Sequence, residues 1–269
     1  MNDGSVLSGL IGHSGFVGGN LLSARHWDRL YNSQNFRDMM GMKFGLLACA
    51  GISATKWRAN MDPASDWAAI QSLMDALSSV HADHFLLVSS VDVFPAPVVM
   101  VDEKSFADPG PSNHYGRHRY QFEQWALGHF PSCSIVRIPG CFGPGLKKNA
   151  LYDLLHGNMV DKIDPLGMFQ FYDVSRIWDD SKLIIDRGID LCHLAPMPVS
   201  IQSVAMNVFG IDISSNPSSP SPPAYDFRSC HDYLWGRDDG YMMDSDSVMR
   251  LIRSWALSSS SLSFGGRFK

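Results

Sequence analysis

The sequence predicts an α/β chain: a doubly wound parallel sheet with helices on both faces and a small C-terminal substrate-binding lobe. Three observations carry that reading. Short apolar segments alternate with longer stretches of helical spacing. A glycine-rich turn joins the first apolar segment to the first helix. And 269 residues, 45% of them apolar and 18% charged, suffice for one large domain and an appended lobe.

The elements follow in order. An apolar run over 6–11 reads as a buried strand, and the turn Gly12-His13-Ser14-Gly15-Phe16-Val17-Gly18 leads into a helix over 16–24. Further buried strands are expected over 45–50, 84–89, 133–138 and 191–194, with helices over 66–80, 115–127 and 201–209. Within 66–80, Trp67, Ile70, Leu73, Met74 and Leu77 recur at three- and four-residue spacing, one face of a helix packed on the sheet. The alternation fades after Pro144. Residues 145–180 are mixed, and the run SSNPSSPSPP at 214–223 is a loop that cannot continue a sheet. Val248, Leu251, Ile252 and Trp255 mark a last helix, followed by a polar tail. Residues 1–145, completed by 187–213, are therefore expected to form the sheet domain, and 146–186 with 214–269 the lobe.

Charge and cysteines narrow the partners. A formal charge of −5 gives no electrostatic reason for nucleic acid or an anionic membrane as partner. Cys49, Cys133, Cys141, Cys192 and Cys230 are odd in number, scattered and without a C-x-x-C pair, which reads as free thiols in a reducing compartment and no metal site. No apolar run reaches the roughly 18 residues that span a bilayer, and residues 1–5 lack a basic n-region. The expected location is the cytoplasm.

Glycine is needed where the chain turns sharply and where a pyrophosphate must approach main-chain N–H groups, and a helix start favours the anion. The G-x-x-G-x-x-G spacing between strand and helix thus reads as a dinucleotide site. An acidic residue some 20 positions on would hold the adenosine ribose. That neighbourhood is Tyr31-Asn32-Ser33-Gln34-Asn35, with Arg37 just beyond and Arg25 just before. Arginines without a carboxylate suit a 2′-phosphate, so NADP(H) is favoured over NAD(H).

Carbonyl chemistry beside a nicotinamide requires a proton donor, a hydroxyl to orient the oxygen, and a cation to lower the donor's pKa. Ser90, at the end of the 84–89 strand, and Tyr115, opening a helix some 25 residues later, supply the first two. Arg119, one turn after Tyr115 and on the same helix face, supplies the third.

In these segments the sequence resembles the extended short-chain dehydrogenase/reductases, the NAD-dependent epimerase/dehydratase family with a Rossmann-like sheet. The matched segments are residues 12–18, Ala48-Cys49-Ala50-Gly51, the run 89–94, the run 115–123 and the run 137–145, in the expected order. The resemblance places Gly12, Ser14, Gly15, Phe16, Val17 and Gly18 around the pyrophosphate, and Asn32, Ser33 and Arg37 near the adenosine ribose. It sets Ala50 and Gly51 against the cofactor, and Ser89 and Pro139 near the nicotinamide. Ser90 would bind the substrate oxygen and Tyr115 would be the acid/base. Arg119 stands where the family has lysine, which holds the nicotinamide ribose and depresses the tyrosine pKa. Arginine keeps the charge but is larger and planar.

Family members that dehydrate sugars usually carry two adjacent acids after the catalytic serine or threonine; this chain has the single Asp92. Phe94 replaces a frequent tyrosine, a change also seen in keto-sugar nucleotide reductases. Reduction or epimerisation of a keto-sugar nucleotide is therefore expected over dehydration. Asp92, Lys147, Lys148, Arg176 and Arg228 are candidate substrate contacts, and a homodimer is a family-based expectation. Lys56-Trp57-Arg58 follows the 45–50 strand, where it either packs or closes over substrate. Two rival readings use the same fold: a non-catalytic NADP(H) sensor, and a reductase of non-nucleotide carbonyls.

Overall fold

The computed structural model describes residues 6–110 and 112–263. It divides into two compact units. The first runs to Pro95 and includes Ser105–Ile138 and Ser175–His193; the second comprises Ala96–Lys104, Pro139–Val174 and the chain from Leu194 onward.

The first unit is built on six strands: β1 (Ser8–Ile11), β2 (Arg29–Tyr31), β3 (Lys43–Cys49), β4 (His81–Ser90), β5 (Cys133–Ile138) and β6 (Leu191–His193). Their order is β6-β5-β4-β3-β1-β2, and every pairing is parallel. The helices of this unit are α1 (Phe16–Ala24), α2 (Lys56–Met61), α3 (Pro63–Leu77), α4 (His114–His129) and α5 (Ile177–Asp186). Leu47, Cys49, Phe85, Leu87 and Ile135 point to one face of the sheet, against Ile70, Leu73 and Leu77 of α3 and Phe122 and Ala126 of α4. The alternate residues Leu10, Ala48, Leu86 and Val136 are equally buried on the other face, where α1 packs beside α5. A sheet covered on both sides has apolar residues at every position, which is why its strands read as continuous runs.

The predicted α/β class and doubly wound sheet are found. Boundaries differ where local chemistry sets them. α3 begins three residues before the expected start because Asp62 accepts from the amide of Ser65 and Pro63 occupies the first helical position. β4 begins at His81, so His81 and His84 lie on the strand. The helix expected over 201–209 is α-helical over Ile201–Val204 and continues as a π-helix over Ala205–Phe209. Among the strands and α-helices of the first unit, three escaped the sequence reading. β2 is three residues long at the sheet edge, α2 is a six-residue helix in the segment after the 45–50 strand, and α5 straddles the end of the 145–180 stretch read as mixed.

The second unit has its own core. Phe142, Leu151, Phe171, Ile201, Val204, Val248, Ile252 and Trp255 pack together, joining helices Ala150–His156 and Ser245–Ser263 to short two-stranded pairs. All five cysteines are free thiols.

Across the first unit, one polar network is wholly buried. Glu123 on α4 accepts from Arg137 NH2 at 2.6 Å and from Ser89 Oγ at 2.5 Å, and Arg137 NH1 lies 3.4 Å from His193 Nε2. Arg137 is 3% exposed and Glu123 0%. These bonds tie α4 to β4, β5 and β6, because each buried charge needs its partner in place. Removing the carboxylate would leave a buried guanidinium uncompensated. Glu123→Ala is expected to cost about 3–5 kcal/mol of unfolding free energy, read by denaturant titration; a loss below ~1 kcal/mol would be that of a surface pair.

Candidate active site

β1 lies between β2 and β3, so successive connections diverge there and leave a crevice at the carboxyl ends of the strands. The glycine turn occupies this point. Gly12 has φ +87°, and a Cβ on it would come within 2.6 Å of the backbone of Ala50 and Gly51 after β3. A Cβ on Gly18 would overlap the carbonyl oxygen of Gly12, so α1 can approach the turn this closely only with glycine there. α1 starts at Gly15 with no side-chain cap and no acidic residue in its first turn. Its amides and the positive end of its dipole are therefore available to an anion. Ser14 is exposed beside Gly15, and Phe16 and Val17 form the first turn.

At the end of β2 the chain folds back on itself. Tyr31 O accepts from Gly12 N at 2.7 Å, Asn32 Oδ1 accepts from Gln34 N at 2.8 Å, and Asn32 Nδ2 lies 3.5 Å from His13 Nε2. Ser33 is exposed next to them. Arg37 is exposed and donates to Ser72 Oγ of α3 at 2.8 Å. Arg25 goes elsewhere: its guanidinium sits 4.6 and 4.7 Å from the ring centres of Trp27 and Trp178.

The serine–tyrosine pair is brought together. Ser90 ends β4 and Tyr115 opens α4, whose first turn is capped by Asn113 through Gly116 N at 3.1 Å. Ser90 lies beside the Tyr115 phenol. Burial pushes the phenol up; Arg119 acts in the opposite sense, Asp92 adds to the rise, and the Ser90 hydroxyl opposes it. The phenol is therefore protonated at neutral pH.

Arg119 is held from two sides. Its NH1 donates to Asp66 Oδ2 at 2.6 Å and to Tyr115 O at 3.2 Å; its NH2 donates to Asp66 Oδ1 at 3.0 Å and to Ser53 O at 2.5 Å. The guanidinium carbon stands 3.8 Å from the Tyr115 ring centre, and the side chain is 3% exposed. Only Nε is without a partner, and it is buried. Asp66 also accepts from His118 Nδ1 at 2.7 Å. Burial works to raise the Asp66 carboxyl, but the Arg119 and His118 bonds outweigh it and hold it below its ordinary value.

The segment between β3 and α3 is stitched to the same place. Besides the Ser53 contact, Asn60 Oδ1 accepts from Tyr115 N at 2.9 Å, and Lys56 Nζ donates to Asp92 Oδ1 at 2.8 Å. Asp92 N in turn donates to Ser90 Oγ at 3.1 Å. The Ser89 hydroxyl is engaged in the Glu123 network, and Pro139 is buried in the second unit. Arg176 pairs with Asp180 at 3.3 Å in the first unit. Arg228 pairs with Asp226 at 3.1 Å in the second, where Lys147 is exposed. Asp66, Asn60 and the pairing of Lys56 were not legible in the sequence, since each partner lies 36 to 55 positions away.

No protein-family profile matches the chain, and no curated protein matches it in sequence. Solved structures do match. UDP-glucose 4-epimerase from Thermotoga maritima, determined with UDP-glucose, superposes with TM-score 0.70 at 11% identity, covering 94% of this chain and 98% of that one. MoeE5 in complex with UDP-glucose and NAD gives 0.67 at 16%, covering 93% and 98%. RMD from Pseudomonas aeruginosa with NADPH gives 0.68 at 18%, covering 94% and 99%. The chain shares the fold of these structures. At these identities the likeness speaks for the fold.

The Asp66 carboxyl generates a test. Because folding lowers its pKa, its stabilisation is complete above the ordinary carboxylate value and is lost as pH falls through the folded one. Asp66→Asn should destabilise the protein at neutral pH by about 3 kcal/mol. The gap between the two proteins should narrow as pH falls through the carboxylate range; a gap independent of pH in denaturant titrations would contradict the pairing.

Proposed function

We propose that the chain is an NAD(P)-dependent reductase or epimerase of keto-sugar nucleotides of the extended short-chain dehydrogenase type, with Tyr115 as acid/base and NADP(H) favoured over NAD(H). The observation that carries this reading is the Tyr115 phenol standing beside Ser90 at the carboxyl end of β4, in the unit whose switch point holds the glycine turn. Gly12 and Gly18 clear space at that turn, and the uncapped start of α1 offers it donors, a fit to a dinucleotide pyrophosphate.

When bound, the cofactor supplies or accepts the hydride. The chain supplies the rest. Ser90 orients the substrate oxygen, and Tyr115 gives it a proton from Oη on reduction, or takes one on oxidation. The Arg119 guanidinium, over the Tyr115 ring, steadies the phenolate that forms. The absence of a carboxylate over residues 32–35, with Arg37 nearby, supports the 2′-phosphate preference. The single acid Asp92 supports reduction or epimerisation over dehydration. Lys147, Arg176 and Arg228 remain the candidate substrate contacts. Residence in the cytoplasm and a homodimer belong to the same reading; among the described residues no helix is long and apolar enough to cross a membrane.

One observation favours a second reading, a non-catalytic NADP(H) sensor: the donors of Arg119 are engaged by Asp66 and main-chain carbonyls.

Titration with NADPH and NADH by fluorescence, followed by turnover with a panel of keto-sugar nucleotides, separates these readings. NADPH should bind more tightly than NADH, and Tyr115→Phe should retain cofactor affinity while turnover falls by about 10²-fold or more. Binding without turnover of any panel member would favour the sensor, turnover of small carbonyls alone the non-nucleotide reductase. Binding of neither cofactor would overturn the proposal.

A further inference from the structure

In the family this chain resembles, one lysine has two tasks, to polarise the tyrosine and to hold the nicotinamide ribose. Here the geometry divides them. Arg119 stands over the Tyr115 ring and opposes the burial-driven rise of its pKa, so its charge is placed for the first task. The second requires hydrogen-bond donors that a ligand can reach. A guanidinium has five N–H bonds. Those on NH1 and NH2 of Arg119 go to both oxygens of Asp66, to Tyr115 O and to Ser53 O, and the fifth, on Nε, is buried without a partner. Freeing them would strip a buried carboxylate of its counter-charge.

A second cation reaches the same strand end. Lys56, the first residue of α2, places Nζ 2.8 Å from Asp92 Oδ1. Asp92 follows Ser90 by two residues and bonds it through its own amide. The Lys56 side chain is 41% exposed, against 3% for Arg119. An ammonium has three N–H bonds, and Asp92 takes one. The remaining two lie at the carboxyl end of β4, the side of an open α/β sheet on which ligands bind. The contacts of Ser53 with Arg119 and of Asn60 with Tyr115 N brace the segment that carries Lys56, so its stem is anchored on both sides.

We propose that Lys56, steadied by Asp92, is the residue that hydrogen-bonds the ribose hydroxyls at the nicotinamide end of the cofactor, the task that position 119 cannot perform in this chain. The proposal rests on the cofactor reading above. It accounts for how an arginine is accommodated at 119: the charge stays with the tyrosine, and the ligand-holding donor comes from the loop after β3.

The test uses the full chain and needs no substrate. Dissociation constants are measured for NADPH and NADH, and for adenosine 2′,5′-bisphosphate and ADP, which lack the nicotinamide ribose. They are compared between the wild type, Lys56→Met and Lys56→Arg. A charge-assisted hydrogen bond implies that Lys56→Met weakens both dinucleotides about tenfold or more. It should leave the two adenosine probes unchanged, and Lys56→Arg should recover most of the loss. Unchanged dinucleotide affinity in Lys56→Met would overturn the assignment and leave the cofactor reading standing. An equal loss for dinucleotides and adenosine probes would overturn it as well, since the effect would then be a general disturbance of the site. If the wild type binds none of the four, the cofactor reading itself fails.

Discussion

The arrangement of this site depends on how α4 is fastened. Tyr115, Arg119 and Glu123 follow one another at four-residue spacing, so they share a face of the helix. Glu123 binds Arg137 and Ser89 in the body of the sheet, and Arg119 binds Asp66 on α3 and the carbonyl of Ser53 in the loop after β3. With two consecutive turns fixed by buried ion pairs, the third position has little freedom. Tyr115 meets Ser90 because the helix cannot rotate or slide without exposing or unpairing a buried charge. Interactions of this kind add little net stability over an apolar core of the same shape. Their effect here is to set register.

The same fastening explains why arginine can stand at position 119. A lysine would reach as a single point charge with mobile donors; an arginine presents a planar fork that matches a carboxylate with two bonds. Asp66 supplies that carboxylate from the first turn of α3, and His118 shares it. The site thus gains a rigid, buried cation over the tyrosine ring and loses an adaptable donor. The 53–60 segment makes three contacts at this place, at Arg119, Asp92 and Tyr115 N.

Much of the architecture was legible from the residues. The glycine turn, the buried strands and the Ser90–Tyr115 spacing all depend on local patterns, and period and turn chemistry write such patterns directly into the sequence. The resemblance added the order of the segments from 12 to 145. What was hidden has a common physical cause. The partners of Arg119 and Lys56 lie in separate elements, joined only when α2, α3 and α4 pack, and no local pattern encodes an ion pair across 53 positions. Arg25 shows the converse: as a charged residue between α1 and β2 it read as a phosphate ligand, but two tryptophan rings, one of them on α5, hold its guanidinium. β2 was missed because a three-residue edge strand carries too little pattern, and α5, although amphipathic, because it straddles the end of a stretch that reads as mixed.

The central claim is that Arg119 belongs to Asp66 and Tyr115 to Ser90, whatever occupies the crevice. A crystal structure of the chain grown with NADPH tests it most directly. The account predicts a guanidinium still bonded to both oxygens of Asp66 and a phenolic oxygen within hydrogen-bond distance of Ser90. A guanidinium turned away from Asp66 toward the cofactor, or a phenol directed out of the crevice, would contradict it.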